Sequence, residues 1–473
     1  MNKKIESAFN TLLDYLPEIN SPKKKLDFKT KFVWTALGIS IYFVLSMVPL
    51  YGLSPTFKSQ FETLAVLLAA NTGSLITLGI GPIVTGSIII QLLMGADIIK
   101  IDTNSREGKR KYQSIQKLFS IAFILFENII YVYSGALPAA CVDSLNCPAG
   151  MNLFTNNMLI AVQLIIGGFI LMALDELMSK WGFMSGISLF IAAGVARRIF
   201  ISLFSPRADP YSAFGFKVGQ VFKIFGLIQT GYPADAAMAL IPVVATIAVF
   251  AVSIYLQSIK VEIPLSFGRV RGFGIRWPLS FIYTSNIPVI LVSAFIASLQ
   301  FAGVMFDNMG FPLLGHFETI NGQQTAVSGL VKYVRAPNIR DMIVAPNMEQ
   351  LYSLLTYTAF MLIGAVIFSV LWINVGGQDA KTVAEQITSS GLFIPGFRSD
   401  PRIIERILKR YIMPLTIMGG LSVGIIAVIA DIFGAFGHGT GILLTVMIVY
   451  KLYEAMKQHD PMEMPEAVRK FMR

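Results

Sequence analysis

Leu351-Tyr-Ser-Leu-Leu-Thr-Tyr-Thr-Ala-Phe-Met-Leu-Ile-Gly-Ala-Val-Ile-Phe-Ser-Val-Leu-Trp-Ile-Asn-Val375 runs for 25 residues without an Asp, Glu, Lys or Arg. A helix of that length crosses the ~30 Å hydrocarbon layer of a bilayer. Apolar blocks of comparable length recur on both sides of it, at about Phe32 to Leu50, Ile76 to Met94, Ile115 to Leu137, Leu153 to Leu174, Ile187 to Leu203, Ala237 to Leu256, Phe281 to Phe301, Ile412 to Phe433 and Gly439 to Met456. Ten spans are therefore expected. Composition agrees: of 473 residues 54% are hydrophobic and 14% charged, against roughly 45 to 50% and about 25% in soluble domains. An ordinary soluble enzyme is excluded, and the expected fold class is all-α, a polytopic membrane protein.

An even number of spans puts both termini on one side, and the basic residues decide which side. Of the 38 Lys and Arg, 29 fall on the terminal side, which the positive-inside rule assigns to the cytosol. The net charge of +10 thus speaks to orientation before it speaks to nucleic acid. Arg197 and Arg198 interrupt the fifth span near its outer end, where they are expected to snorkel to the interface or face a wet cavity. The first span opens at Phe32, so no cleavable signal peptide is expected. Ahead of it, in residues 1–31, Ile5, Phe9, Leu12, Leu13 and Leu16 recur at helical spacing before Pro17 and Lys23-Lys24-Lys25, which reads as an amphipathic helix on an anionic membrane surface. Residues 457–473 form a cytosolic tail.

Five spans precede and five follow the loop around Gly231 and Pro233. Residues 32–235 and 236–456 are therefore expected as two halves of an inverted-topology duplication, although no sequence repeat is visible. Within the first half, 57–68 is apolar but short and carries Lys58 and Glu62. It reads as a re-entrant helix whose exit through Asn71, Thr72 and Gly73 implies a cavity between the spans. Cys141 and Cys147 share one polar loop, and both one disulfide and two free thiols stay open.

Catalytic constellations are poor. His316, His438 and His459 are scattered, no Cys/His cluster has metal spacing and no phosphate-binding loop occurs, so no catalytic residue, metal or cofactor is expected. Glu127 stands inside an apolar run, where a carboxylate needs polar partners. Thr77-Leu-Gly-Ile-Gly-Pro-Ile-Val-Thr85 opens the second span. Its glycines permit close approach, and Ile80 and Val84 lie one helical turn apart; Ile187 and Ile191 repeat that pair in the fifth span. Two loops on the terminal side are longer than a connection requires: residues 257–280, with Arg269, Arg271 and Arg276, and residues 376–411, with Arg398, Arg402, Arg406, Lys409 and Arg410. Their charge suits lipid head groups or an anionic partner such as ribosomal RNA. A secondary transporter of a small solute is the rival class, separated from a channel by whether midplane positions are aliphatic or polar ligands.

Leu75-Ile-Thr-Leu-Gly-Ile-Gly-Pro-Ile-Val-Thr85, Ser185-Gly-Ile-Ser-Leu-Phe-Ile-Ala-Ala-Gly194, Val261-Glu-Ile-Pro-Leu265, Ser285-Asn-Ile-Pro-Val-Ile290, Leu408-Lys-Arg-Tyr411 and Gly439-Thr-Gly-Ile-Leu-Leu-Thr445 together resemble the SecY family, the pore-forming subunits of the protein translocation channel, in its archaeal and eukaryotic-like form. The resemblance implies ten helices in two inverted five-helix halves with a short re-entrant plug helix, in a cell membrane, most simply an archaeal plasma membrane. It implies an hourglass pore for unfolded polypeptide, opening sideways to release apolar segments into lipid. On the matching motifs, the aliphatic ring at the waist would be Ile80, Val84, Ile187, Ile191, Ile290 and Leu444. The plug would be 57–68, with Phe57, Phe61, Leu64 and Leu67. A polar cluster at the lateral gate would include Thr85 and Glu127, with Ser298 where many relatives carry Asn. Arg269, Arg271 and Arg398 would dock the ribosome. The further partners implied are small membrane subunits of SecE/gamma and SecG/beta type, signal sequences, nascent chains and membrane lipids, with no cofactor.

Overall fold

The computed structural model describes residues 18–24, 26–53, 73–95, 98–99, 106–133, 137, 152–207, 217–267, 274–284, 287–308, 311–320, 323–337, 339–344, 347–393, 400–437 and 439–457. Its helices are α1 Phe28–Met47, α2 Gly81–Gly95, α3 Arg106–Tyr133, α4 Leu153–Trp181, α5 Gly186–Phe204, α6 Gln220–Gln229, α7 Pro233–Ser258, α8 Ile287–Asn308, α9 Leu330–Val334, α10 Ile339–Val344, α11 Met348–Val375, α12 Ala380–Ser389, α13 Pro401–Ile432 and α14 Gly439–Lys457. Each of the ten expected spans overlaps one of these. Among the described residues, eight helices are long and apolar enough to cross a membrane: α1, α3, α4, α5, α7, α11, α13 and α14. The other two expected spans fall on the 15-residue α2 and the 22-residue α8.

The helix ends differ from the apolar runs for physical reasons. α3 starts at Arg106 and α13 at Pro401, well before their apolar blocks, because a helix satisfies its own backbone and can continue beyond the hydrocarbon layer. Asp400 marks the start of α13: its carboxylate accepts the N–H of Arg402 at 3.0 Å and Pro401 follows it, a polar cap with proline at the first helical position.

The chain forms two compact units, residues 1–194 with 448–473, and residues 195–447; the boundaries fall within α5 and α14. In the first unit α2 packs on α3, α3 on α4 and α4 on α1. Leu50, Leu78, Ile124, Val132, Ile160 and Leu164 form its core. Ahead of α1, the chain at Glu18 to Asn20 is strapped to α3 and α4. Glu176 accepts from Lys117 at 2.7 Å, from Lys180 at 2.9 Å and from the backbone of Ile19 at 3.1 Å. Lys180 also donates to Glu18 at 2.9 Å, and the Trp181 indole donates to the carbonyl of Asn20 at 3.0 Å.

In the second unit α11 packs against α8 and α13, and α13 reaches α7. Val249, Val289, Val292, Met361, Val423 and Ile442 belong to its main core. The long basic loops are structured in part. β1 Lys260–Phe267 pairs antiparallel with β2 Gly274–Ser280, with Ile263 opposite Trp277, and with the two-residue β5 Leu392–Phe393, in the order β2-β1-β5. Ile263 and Leu279 from the sheet, Val383 and Ile387 from α12, and Ile404 and Leu408 from the head of α13 share a second core. A second hairpin, β3 Phe317–Ile320 with β4 Gln323–Ala326, follows α8. Asp307, beyond Phe301 where the expected span ends, anchors that hairpin: it accepts the Phe317 N–H at 2.9 Å and meets His316 Nδ1 at 2.7 Å. These two contacts hold the Asp307 carboxyl below the usual carboxylate range, the Phe317 N–H contributing most.

Candidate pore elements

The second expected span begins with a turn rather than a helix. Residues 75–80 form consecutive turns, and Gly79 adopts φ +58°, which a side chain rarely tolerates. Its N–H donates to the carbonyl of Ile76 at 2.9 Å. Helical geometry starts at Gly81, with Pro82 in the first turn, where a missing N–H costs nothing. Ile80 thus immediately precedes α2, yet the N–H of Val84 donates to its carbonyl at 3.0 Å, so the expected one-turn relation of Ile80 and Val84 stands. Ile80 is 1% exposed and Val84 half-buried.

This turn is held from two sides within its unit. A Cβ at Gly167 of α4 would lie 1.9 Å from the carbonyl oxygen of Leu75, so only a glycine lets α4 lie this close to the turn. On the other side, residues 48–50 run antiparallel to 73–75: Leu50 donates to the Gly73 carbonyl at 2.9 Å and Leu75 to the Val48 carbonyl at 3.0 Å. The two ends of 54–72 therefore start and finish side by side. The expected plug residues Phe57, Phe61, Leu64 and Leu67 lie outside the described residues.

Ile187 and Ile191 sit in the first two turns of α5, both half-buried. The start of α5 is fixed by Asp175 near the end of α4, whose Oδ1 accepts the Ile187 N–H and the Ser185 hydroxyl, each at 2.9 Å. In the second unit Ile290 lies in the first turns of α8, half-buried, and Leu444 lies in α14, 7% exposed. The start of α14 has a similar anchor. Asp431 near the end of α13 accepts the Gly439 N–H at 2.9 Å through Oδ1 and the Tyr357 hydroxyl of α11 at 2.7 Å through Oδ2.

Of the expected gate residues, Thr85 on α2 and Glu127 on α3 are half-buried on packed neighbouring helices. Next to Glu127, Asn128 is 2% exposed and donates to the Ala161 carbonyl of α4 at 3.2 Å. Ser298 lies in α8, its side chain outside the described residues, as are Arg269, Arg271, Arg398, Cys141, Cys147 and residues 1–17. Arg276 is described on β2, exposed and paired with Glu262 at 3.0 Å. Arg197 and Arg198 lie in α5, half-buried.

Sequence reasoning passed over Asp175, Asp431 and Tyr357. The two acids stand at span ends, where a carboxylate looks ordinary, and their partners lie 8 to 74 residues away. A signal was present nonetheless, since each acid is followed by a glycine-rich stretch that opens the next span.

Eight helices long and apolar enough to cross a bilayer, among the described residues, define a polytopic membrane protein. The SecY family profile matches residues 74–453, and the profile of the plug domain of Sec61p matches residues 41–73. The protein translocase subunit SecY of Pyrococcus horikoshii is 42% identical over 471 residues, covering 97% of each chain. A solved protein-conducting channel superposes with a TM-score of 0.76 at 37% identity, covering 97% of this chain and 98% of that one. Sec61 in the canine ribosome-channel complex from the endoplasmic reticulum gives 0.73 at 37% identity with the same coverage. The chain belongs to the SecY family: it is the protein-conducting channel subunit of the Sec translocon, a multi-pass membrane protein and not an enzyme.

Proposed function

We propose that the chain closes its resting pore with the side chains of Ile80, Val84, Ile187, Ile191, Ile290 and Leu444. The observation that carries this is the start of α2, where Ile80 and Val84 keep a one-turn relation although the helix begins only between them, on a turn held by Gly79 and Gly167. A pore for arbitrary polypeptide has no use for specific polar partners. Bulky apolar walls disfavour water and ions when narrow, and they slide along any side chain without binding it.

Residues 57–68 serve as the plug on the external side, a reading supported by the seam of 48–50 with 73–75, which brings the chain on either side of that stretch to one place. Thr85, Glu127 and Ser298 tune the side opening, where a segment partitions by its own hydrophobicity: Leu or Ile gains a few tenths of a kcal/mol, and Arg or Asp loses about 2.5 to 3.5. Ten spans arranged as two halves, 32–235 and 236–456, place both termini in the cytosol of an archaeal plasma membrane. Residues 257–280 and 376–411 then face the ribosome, with Arg269, Arg271 and Arg398 as contacts. Their common support is the folded base formed by β1, β2, β5, α12 and the head of α13. Small subunits of SecE/gamma and SecG/beta type complete the assembly, which receives signal sequences and nascent chains. Replacing the six aliphatics in groups with Ser or Gly tests the ring: ion leak across planar bilayers rises, and unchanged conductance of folded channel refutes it.

A further inference from the structure

Resting on that pore assignment, we propose that Asp175 and Asp431 are equivalent positioning residues, one in each compact unit, which hold the pore-lining helices α5 and α14 at a fixed height against the helix before them. In the first unit, Asp175 of α4 accepts the Ile187 N–H and the Ser185 hydroxyl at the head of α5, at 2.9 Å each. In the second, Asp431 of α13 accepts the Gly439 N–H at the head of α14 at 2.9 Å, and its other oxygen accepts the Tyr357 hydroxyl at 2.7 Å.

The close packing matches as well as the hydrogen bonding. A Cβ on Gly186 would lie 2.7 Å from the Asp175 Cα, and a Cβ on Gly439 would lie 2.6 Å from the Ala427 Cα. Helices α5 and α14 thus each start with a glycine pressed on the backbone of the preceding helix, beside an acid from that helix. α4 and α5 contain the fourth and fifth expected spans, and α13 and α14 the ninth and tenth. These are corresponding places in the two proposed halves, although the residue spacings differ and no sequence repeat marks them.

An N-terminal cap ordinarily comes from the residue next to the helix and completes that helix alone. Here the cap comes from a neighbouring helix, so the same bond also ties one helix to the other, and the carboxylate favours the positive end of the helix dipole. A slip of one residue moves a helix by about 1.5 Å along its axis and breaks the bond. In α5 the N–H that is held belongs to Ile187 itself, with Ile191 one turn on; in α14 Leu444 follows Gly439 within two turns. The acids therefore act on the pore through the placement of these aliphatics.

The test uses the full chain reconstituted in planar bilayers, with Asp175→Ala, Asp431→Ala, the two Asp→Asn variants, Tyr357→Phe and the pair Ile187→Gly with Ile191→Gly. Loss of one cap multiplies an opening equilibrium by about five, so each Ala variant raises the frequency of ion-conducting openings about fivefold. Asn, which keeps an acceptor for the same N–H, brings it back to within about twofold. Tyr357→Phe loses one hydroxyl without a volume change and raises openings in the same direction, which keeps the Asp431 arm readable if Asp431→Ala does not fold. In the Ile187→Gly, Ile191→Gly background Asp175→Ala adds nothing, because the side chains it places are gone. Additive leak in that background, or Asn variants as leaky as Ala, overturns the positioning role while leaving the pore assignment intact. A double-glycine channel that stays sealed overturns the pore assignment itself, and the positioning role with it.

Discussion

Gly167→Ala offers a sharp test of how the start of α2 is held. The added methyl would sit 1.9 Å from the Leu75 carbonyl oxygen, whereas ordinary contact begins near 3.4 Å, so α4 and the turn must separate by about 1.5 Å. Neither side yields easily: the obstacle is a backbone atom, Gly167 is buried in α4, and the Leu75 N–H is already bonded to Val48. Overpacking of this kind costs about 1 to 3 kcal/mol, and the strained element is the turn that carries Ile80. Gly424→Ala is the control. Its methyl would meet the tip of Leu362 at 3.2 Å and the Ala365 Cβ at 3.3 Å, contacts that a shift of a few tenths of an ångström relieves. With both variants purified in the same detergent, a thermal unfolding series should show a clear loss for Gly167→Ala and little change for Gly424→Ala. Planar-bilayer recordings should show extra leak in the first alone. Equal thermal midpoints for the two variants would falsify the close approach of α4 to the turn.

Other perturbations separate the remaining claims. Glu127→Leu with Thr85→Leu should strengthen apolar helix contact at the side opening, so that marginally hydrophobic signal sequences fail first; equal loss for strong and weak signals would point to a folding defect instead. Reversal of Arg269, Arg271 and Arg398 to Glu should weaken ribosome co-sedimentation and flatten its salt dependence, each lost phosphate contact removing about 0.7 to 0.9 from the log-log slope; an unchanged slope and affinity refutes docking there. The lowered Asp307 carboxyl contributes stability that is present above the unfolded value near ~3.9 and lost as pH falls through its lower folded value. Hydrogen exchange at the Phe317 amide should therefore accelerate in acid below that value in the native chain, and Asp307→Asn should remove the pH step; a step that persists in Asp307→Asn refutes the assignment.

The membrane class and the order of the helices were legible because a bilayer imposes one length and one composition on whatever crosses it. What escaped was everything that depends on partners distant in sequence. The alternation of Val261, Ile263 and Leu265 with Glu262 and Pro264 carried a strand period inside a stretch read as a basic connector. Its meaning came from Leu279 and from Ile404, which share a core with Ile263. The late start of α2 was hidden for the opposite reason: residues 76–80 are as apolar as the helix that follows, and hydropathy cannot distinguish a buried turn from a buried helix. The resemblance to the SecY family supplied the proposed ring, whereas Asp175 and Asp431 came from the structure, since an acid at a span end becomes informative only when the N–H it accepts is known.

The stitching of residues 48–50 to 73–75 has a consequence for how this region can change over generations. A segment whose roots are joined returns the chain to the place it left, so its length can change without displacing the helices on either side. Halving or doubling such an insert alters its closure entropy by only about 0.6 kcal/mol. Changes of length between Leu50 and Gly73 are thus expected to leave α1 and the turn before α2 in place, provided that Val48, Leu50, Gly73 and Leu75 keep their seam.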